Sequence, residues 1–138
     1  MNSAEPQGVF VYGTLLSGRG NARVVRPVER IAATLNRGLL YGLPDRGYPV
    51  LDLSVDGPAP IRGELLRFDD LAAALRILDR LEGLRGPWRF NLYRRGVVEV
   101  TTDVGHLYSA WVYHLAEDAR LPVGAVALPR GDWLSESP

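Results

Sequence analysis

Runs of apolar residues along the chain predict many short strands and one helix. Residues 9–12 contain only strand-favouring side chains, which is typical of a short, buried central strand. Further segments of extended character lie at residues 29–43, 48–53, 61–68, 93–101 and 108–115. The first of these has a break near residues 36–38, and the last two flank a turn-forming sequence and predict a hairpin.

Residues 69–82 have the composition of a helix, with strong helix formers throughout the interior. Asp69 or Asp70 can cap its N-terminus, and Gly83 lies where a C-terminal cap is expected. Many short strands combined with one helix predict an α+β domain, in which a small barrel could carry the helix on one side.

The length of the chain is that of one domain. Its 138 residues contain no repeat and no linker, so we expect a single domain over residues 1–138. The tail from residue 121 onwards contains three prolines and is predicted to be mostly extended.

Composition excludes several kinds of chemistry. The chain has no cysteine and only two histidines, His106 and His114, so we expect no metal site and no thiolate nucleophile. Both histidines are interpreted as structural or solvated. Cations and anions balance at 16 each, which makes a nucleic-acid partner unexpected. No apolar run reaches the ~18 residues of a membrane span, and the polar N-terminus lacks a signal-peptide core. We therefore expect no membrane association and a cytoplasmic protein, either a monomer or a homodimer.

Glu82 is the first candidate for catalysis. Leu71, Leu75 and Leu78 form an inward stripe at helical spacing, and Glu82 lies four residues further on the same stripe. Burial and the negative end of the helix dipole would both raise its pKa, which suits a general acid or base. Alternatively, Glu82 turns outward and pairs with a nearby arginine. Asp79 lies at the edge of the stripe and is interpreted as a solvated flank or a structural hydrogen-bond acceptor.

The second candidate is the sequence Tyr12, Gly13, Thr14 and Leu15, where the first strand ends. A strand that runs into a glycine-bearing turn leaves backbone N–H groups that can bind a carboxylate or an oxyanion. The alternative is an ordinary strand-to-loop turn. The chain has neither a phosphate-binding GKS or GKT sequence nor a Gly-x-Ser-x-Gly elbow.

Five segments in a fixed order resemble the γ-glutamylcyclotransferase-like family, most closely its γ-glutamylamine cyclotransferase and AIG2-like branch. Residues 9–15, followed by Gly18 and Asn21, resemble its opening motif, and residues 78–83 resemble its "LD..EG" helix end. The other matching segments are residues 61–66, 93–100 and 110–113. The resemblance covers residues 9–115, which we take as the approximate core.

The resemblance implies a small mixed β-barrel flanked by helices, and an enzyme that releases 5-oxoproline from a γ-glutamyl amine, peptide or acylated small molecule. Glu82 would take a proton from the substrate α-ammonium group and later donate one to the leaving amine. Tyr12–Leu15 would bind the substrate through backbone N–H groups. Tyr113 could line the pocket, or it could be a core aromatic. The resemblance implies no cofactor.

Two departures from the family pattern bear on the substrate. The loop of residues 84–92, which follows the catalytic position, is longer than the link usual in the family. Its Trp88 and Phe90 could contact the leaving group. Leu66 replaces a family tyrosine. A non-enzymatic binding or regulatory protein on the same scaffold, or a different amide or acyl transfer, remains an alternative.

Overall fold

A computed structural model describes residues 5–13, 25–43, 48–81 and 93–133 of the chain. These residues form eight strands and one helix. Their bounds are β1 (Val9–Val11), β2 (Glu29–Leu35), β3 (Leu39–Leu43), β4 (Tyr48–Asp52), β5 (Ile61–Arg67), α1 (Leu71–Leu81), β6 (Tyr93–Thr102), β7 (Leu107–Leu115) and β8 (Val126–Leu128). The predicted strands, the break near residues 36–38 and the hairpin are confirmed.

Five of the strands close into a mixed β-barrel in the order β1-β5-β2-β6-β7. All neighbours pair antiparallel except β1 and β7, which pair in parallel through Val9 and Trp111. Closure removes the unpaired strand edges that an open sheet would expose. The barrel predicted from the family resemblance is therefore confirmed, and the described residues contribute one helix to it.

The remaining strands form a smaller sheet in the order β4-β3-β8. β3 lies in the middle and pairs antiparallel with both neighbours. β4 also contacts β7, so the small sheet packs against the barrel.

The barrel is filled by large apolar side chains from its strands. Phe10 is paired with Leu65, and Leu65 is paired in turn with Ile31, so the three side chains share one face. Phe10 and Leu65 are almost completely buried. The core also includes Leu128 and Trp133, so the part of the predicted extended tail that the structure describes, residues 121–133, contributes to the core of the domain.

Gly63 on β5 is required by the close approach of β1. A Cβ atom at this position would lie 2.1 Å from the carbonyl oxygen of Val11 and 2.7 Å from Cζ of Phe10. The glycine of the family-like segment at residues 61–66 therefore has a packing reason: it lets the ring of Phe10 occupy the barrel.

The helix follows its predicted amphipathic pattern. The Asp70 side chain accepts a hydrogen bond from the backbone N–H of Ala73 at 3.0 Å, which confirms this aspartate as the N-terminal cap. Leu75 and Leu78 are buried, as the inward stripe predicts, whereas Ile77 is exposed.

Among the residues that the structure describes, no helix is long and apolar enough to cross a membrane. Within the same ranges, no group of three or more histidine or acidic side chains is arranged to hold a metal ion.

Replacing Gly63 with alanine is expected to destabilise the domain by about 3 kcal/mol, because the new methyl group overlaps backbone that cannot move without shifting β1. Chemical denaturation of both proteins measures this difference.

Gly57→Ala is the matched control for this substitution. Its new Cβ would meet the Cδ1 atom of Leu39 at 2.8 Å, and this is the end of a flexible side chain. The change should alter the free energy of unfolding by less than about 1 kcal/mol. Equal losses for the two variants would contradict the role given to Gly63.

Candidate functional site

Asp79 is a buried carboxylate in the last turn of α1. It shares the buried side of the helix with Leu75 and Leu78, and its side chain is 13% exposed. Burial of a carboxylate is unfavourable unless hydrogen bonds replace those it made to water. The surroundings of Asp79 supply such bonds from two neighbouring strands.

The first partner of Asp79 is Arg95 on β6. Arg95 donates from Nε to Oδ1 at 2.9 Å and from Nη2 to Oδ2 at 3.2 Å, which is a bidentate ion pair. The guanidinium also lies over the ring of Trp111, with its carbon 4.5 Å from the ring centroid. This stacking adds a cation–π contact and restricts the orientation of the guanidinium.

The second partner is Tyr113 on β7, whose hydroxyl donates to Oδ1 of Asp79 at 2.6 Å. Arg95 and Tyr113 are paired directly across β6 and β7, so their side chains leave the barrel on the same face. The helix is therefore attached at one carboxylate to two adjacent strands.

Tyr113 is also attached to the end of β1. The Tyr12 hydroxyl donates to the carbonyl oxygen of Tyr113 at 2.5 Å, and both tyrosines are buried. The next residue, Gly13, lies against β4, since a Cβ atom there would come 2.7 Å from the ring of Pro49. Tyr93 donates to the carbonyl oxygen of the same proline at 2.9 Å.

The structure thus brings two of the predicted site residues, Tyr12 and Tyr113, together and connects them to the last turn of α1. Tyr12 contacts Tyr113, and Tyr113 contacts the last turn of the helix that Glu82 follows in sequence. Glu82 itself lies outside the described residues, as do Thr14, Leu15 and residues 84–92 with Trp88 and Phe90.

The sequence is compatible with Asp79 as a solvated flank or as a structural hydrogen-bond acceptor, and the structure shows that it is an acceptor. Its partner Arg95 is 16 residues away in sequence, and only the pairing of β6 with β7 places Arg95 beside Tyr113. In the sequence, the indication that Asp79 and Arg95 matter is that both lie in segments that resemble the family.

Leu66, the departure from the family pattern noted in the sequence, is completely buried in the apolar core. The position therefore serves packing in this chain. Of the two histidines, His106 is exposed and His114 is half-buried, with Nδ1 3.0 Å from the carbonyl oxygen of Leu115.

A separate cavity of about 490 Å³ lies beside the β6–β7 hairpin. Its lining is of mixed charge and includes Arg37, Asp52, Gly96, His114 and Glu117. Tyr12, Gly13 and Tyr113 are not among the residues that line it. The cavity is therefore distinct from the cluster around Asp79.

The family relationship rests on most of the chain. Residues 9–135 match the family model described as gamma-glutamyl cyclotransferase, AIG2-like. A comparison with curated protein sequences gave no match.

Several solved structures share the fold. A mouse AIG2-like protein superposes with a TM-score of 0.68 at 24% identity, over 94% of this chain and 89% of that one. A protein of Arabidopsis thaliana gives 0.59 at 26% identity, over 86% and 74%. YkqA of Bacillus subtilis gives 0.58 at 24% identity; the match covers 94% of this chain but 42% of YkqA.

Asp79→Ala is expected to cost about 2–4 kcal/mol of folding stability, because it removes the acceptor shared by the half-buried guanidinium of Arg95 and the buried hydroxyl of Tyr113. Denaturant unfolding of the two proteins checks this value.

The exposed ion pair between Arg67 and Glu29 provides the control, since its side chains are 38% and 52% exposed at a separation of 3.2 Å. Glu29→Ala should change stability by less than about 1 kcal/mol. A loss for Asp79→Ala no larger than this control would show that the Asp79 cluster does not anchor the helix.

Proposed function

The chain belongs to the γ-glutamyl cyclotransferase, AIG2-like family, and from this membership we propose that it is an enzyme that releases 5-oxoproline from a γ-glutamyl amine, peptide or acylated small molecule. The observation that carries the proposal is the cluster joining the two family-like segments. The segment at residues 78–83 is attached through Asp79 to Tyr113, and the segment at residues 9–15 is attached through Tyr12 to the same Tyr113.

The proposed reaction is an internal acyl transfer. The substrate's α-amine attacks its own γ-carbonyl carbon, a new C–N bond closes the five-membered ring, and the bond to the departing amine breaks. Starting from the α-ammonium form, the attacking nitrogen loses two protons, and the departing nitrogen gains two and leaves as an ammonium ion. The atoms balance without an oxidant, a reductant or a cofactor.

In this proposal Glu82 is the catalytic acid and base. Its carboxylate takes the proton from the α-ammonium group, which makes the nitrogen nucleophilic, and then donates a proton to the departing amine. One carboxyl group can perform both transfers because they occur in sequence. The position of Glu82, directly after the last residue of α1, supports this assignment because Asp79 attaches that turn to the barrel.

The residues from Tyr12 to Leu15 are proposed to bind the substrate. Their backbone N–H groups would hold the glutamyl α-carboxylate or the oxyanion formed at the γ-carbon. Two contacts support a fixed geometry for the start of this segment: the Tyr12 hydrogen bond to Tyr113 and the close packing of Gly13 on Pro49.

Holding the substrate folded is the main source of rate in this scheme. Ring closure joins two groups of one molecule, so a site that selects the folded conformer removes much of the entropic barrier. The aromatic ring of Tyr113 is proposed to line the pocket in which this conformer is held.

Residues 84–92 are proposed to determine the leaving group. They follow Glu82 and Gly83 in sequence, and they include Trp88, Phe90 and two arginines. An aromatic or anionic amine would suit these side chains.

Glu82→Gln is expected to lower kcat for 5-oxoproline release by at least about 100-fold, because the amide can neither accept nor donate the transferred proton. A chromatographic assay of 5-oxoproline, with the amine product followed in parallel, measures this. Thermal unfolding and binding of 5-oxoproline should remain nearly unchanged.

Glu99→Gln is the matched control, since Glu99 is an exposed carboxylate on β6. It should retain wild-type turnover. Normal activity of Glu82→Gln would show that the proton is carried by another group.

Replacing Trp88 and Phe90 with alanine should alter the ranking of γ-glutamyl substrates, with changes of about tenfold in relative kcat/KM, because apolar contacts to the leaving group discriminate on this scale. Competition assays with pairs of substrates measure the ranking. An unchanged ranking would exclude these residues from the pocket.

A further inference from the structure

The cluster of Asp79, Arg95 and Tyr113 lies between the two segments that the proposed function assigns to catalysis and substrate binding. We propose that these three residues are positioning residues, which fix the distance and orientation between Glu82 and the Tyr12 segment. This inference rests on the proposed function.

The carboxylate of Asp79 is held on both of its oxygens. Oδ1 accepts from Arg95 at 2.9 Å and from Tyr113 at 2.6 Å, and Oδ2 accepts from Arg95 at 3.2 Å. A sideways movement of the helix end would lengthen all three bonds together. Because the carboxylate is buried, water replaces them poorly, and the last turn of α1 is held in one place.

The other side chains in this turn provide less anchoring. Leu81, directly before Glu82, is 41% exposed, and Arg80 is exposed as well. Leu78 is completely buried, but apolar packing is not directional. It therefore fixes how deeply the helix end sits on the barrel better than it fixes the orientation of the helix end. The bidentate ion pair between Asp79 and Arg95 is directional, so it fixes the orientation of the helix end.

Tyr113 links this turn to the substrate segment through a single residue. Its hydroxyl donates to Asp79, and its carbonyl oxygen accepts from the Tyr12 hydroxyl. The Tyr113 hydroxyl is therefore assigned a positioning role beside the pocket-lining role of its ring. Removing only the hydroxyl separates the two roles, since Tyr113→Phe keeps the ring and the backbone carbonyl.

Misplacement of a catalytic group by about 1 Å can reduce the rate by about 100-fold while the substrate still binds. Loss of the cluster should therefore appear in kcat more than in KM. Tyr113→Phe and Asp79→Asn are expected to lower kcat by about 10–100-fold with KM within about threefold of wild type. Arg95→Lys should be impaired as well, because it keeps the charge and loses the two-pronged geometry.

Glu64→Gln is the matched control. Glu64 accepts from Arg30 at 2.9 Å, and the two side chains are 21% and 22% exposed, so this pair resembles the one at Asp79. It joins β2 to β5 and does not involve α1. This variant should retain wild-type kcat, which separates loss of the helix anchor from loss of any half-buried ion pair.

Amide hydrogen exchange supplies a measurement that does not depend on activity. In Tyr113→Phe, the backbone amides of Leu78–Leu81 should exchange about tenfold faster, whereas those of Leu65 and Val112 should be unchanged. Faster exchange limited to the helix end, together with a fall in kcat, is the expected result.

Three outcomes would overturn the inference: uniform acceleration of exchange throughout the domain, unchanged exchange at the helix end, or a loosened helix end with normal kcat. Failure of the proposed function has a different signature, because wild-type protein would then release no 5-oxoproline from any γ-glutamyl compound. In that case hydrogen exchange at Leu78–Leu81 alone decides whether the cluster holds the end of α1. Unchanged exchange rates in Tyr113→Phe would overturn the positioning role.

Discussion

The buried carboxylate of Asp79 determines how the helix docks on the barrel. A group of this kind is tolerated only where its hydrogen bonds are replaced, and the replacements come from Arg95 and Tyr113 on two adjacent strands. Because these donors are directional, they select one register and one rotation of α1. Apolar packing at Leu78 then completes a contact whose geometry the polar groups have already restricted.

The strand order of the barrel brings Arg95, Tyr113 and Tyr12 close to one another. Antiparallel pairing of β6 with β7 places Arg95 opposite Tyr113, and parallel pairing of β7 with β1 brings Tyr12 to the same strand end. Gly63 lets Phe10 fill the space between these strands. The proposed active site thus depends on pairing between strands that are far apart in sequence, although each segment that contributes to the site is short.

Much of this architecture could be predicted from the sequence because its signals are local. The apolar runs, the turn-forming sequences and the Asp70 cap depend on neighbouring residues and were confirmed. The partners of Asp79 could not be predicted in this way. A helical wheel places this aspartate at the edge of the apolar stripe, but it gives no information about contacts with other strands. The packing of Trp133 into the core was missed for a similar reason, because nothing near it in sequence indicates its contacts. Glu82 remains a prediction carried by helical spacing and family resemblance.

We propose that the helix end and the segment after β1 form one site for the γ-glutamyl group. The most direct test is a crystal structure of the protein with 5-oxoproline bound. We expect the product to lie between the Glu82 carboxyl group and the backbone N–H groups of residues 13–15, close to Tyr113. Binding of 5-oxoproline in the separate cavity beside His114 and Arg37, with no contact to Glu82, would contradict it.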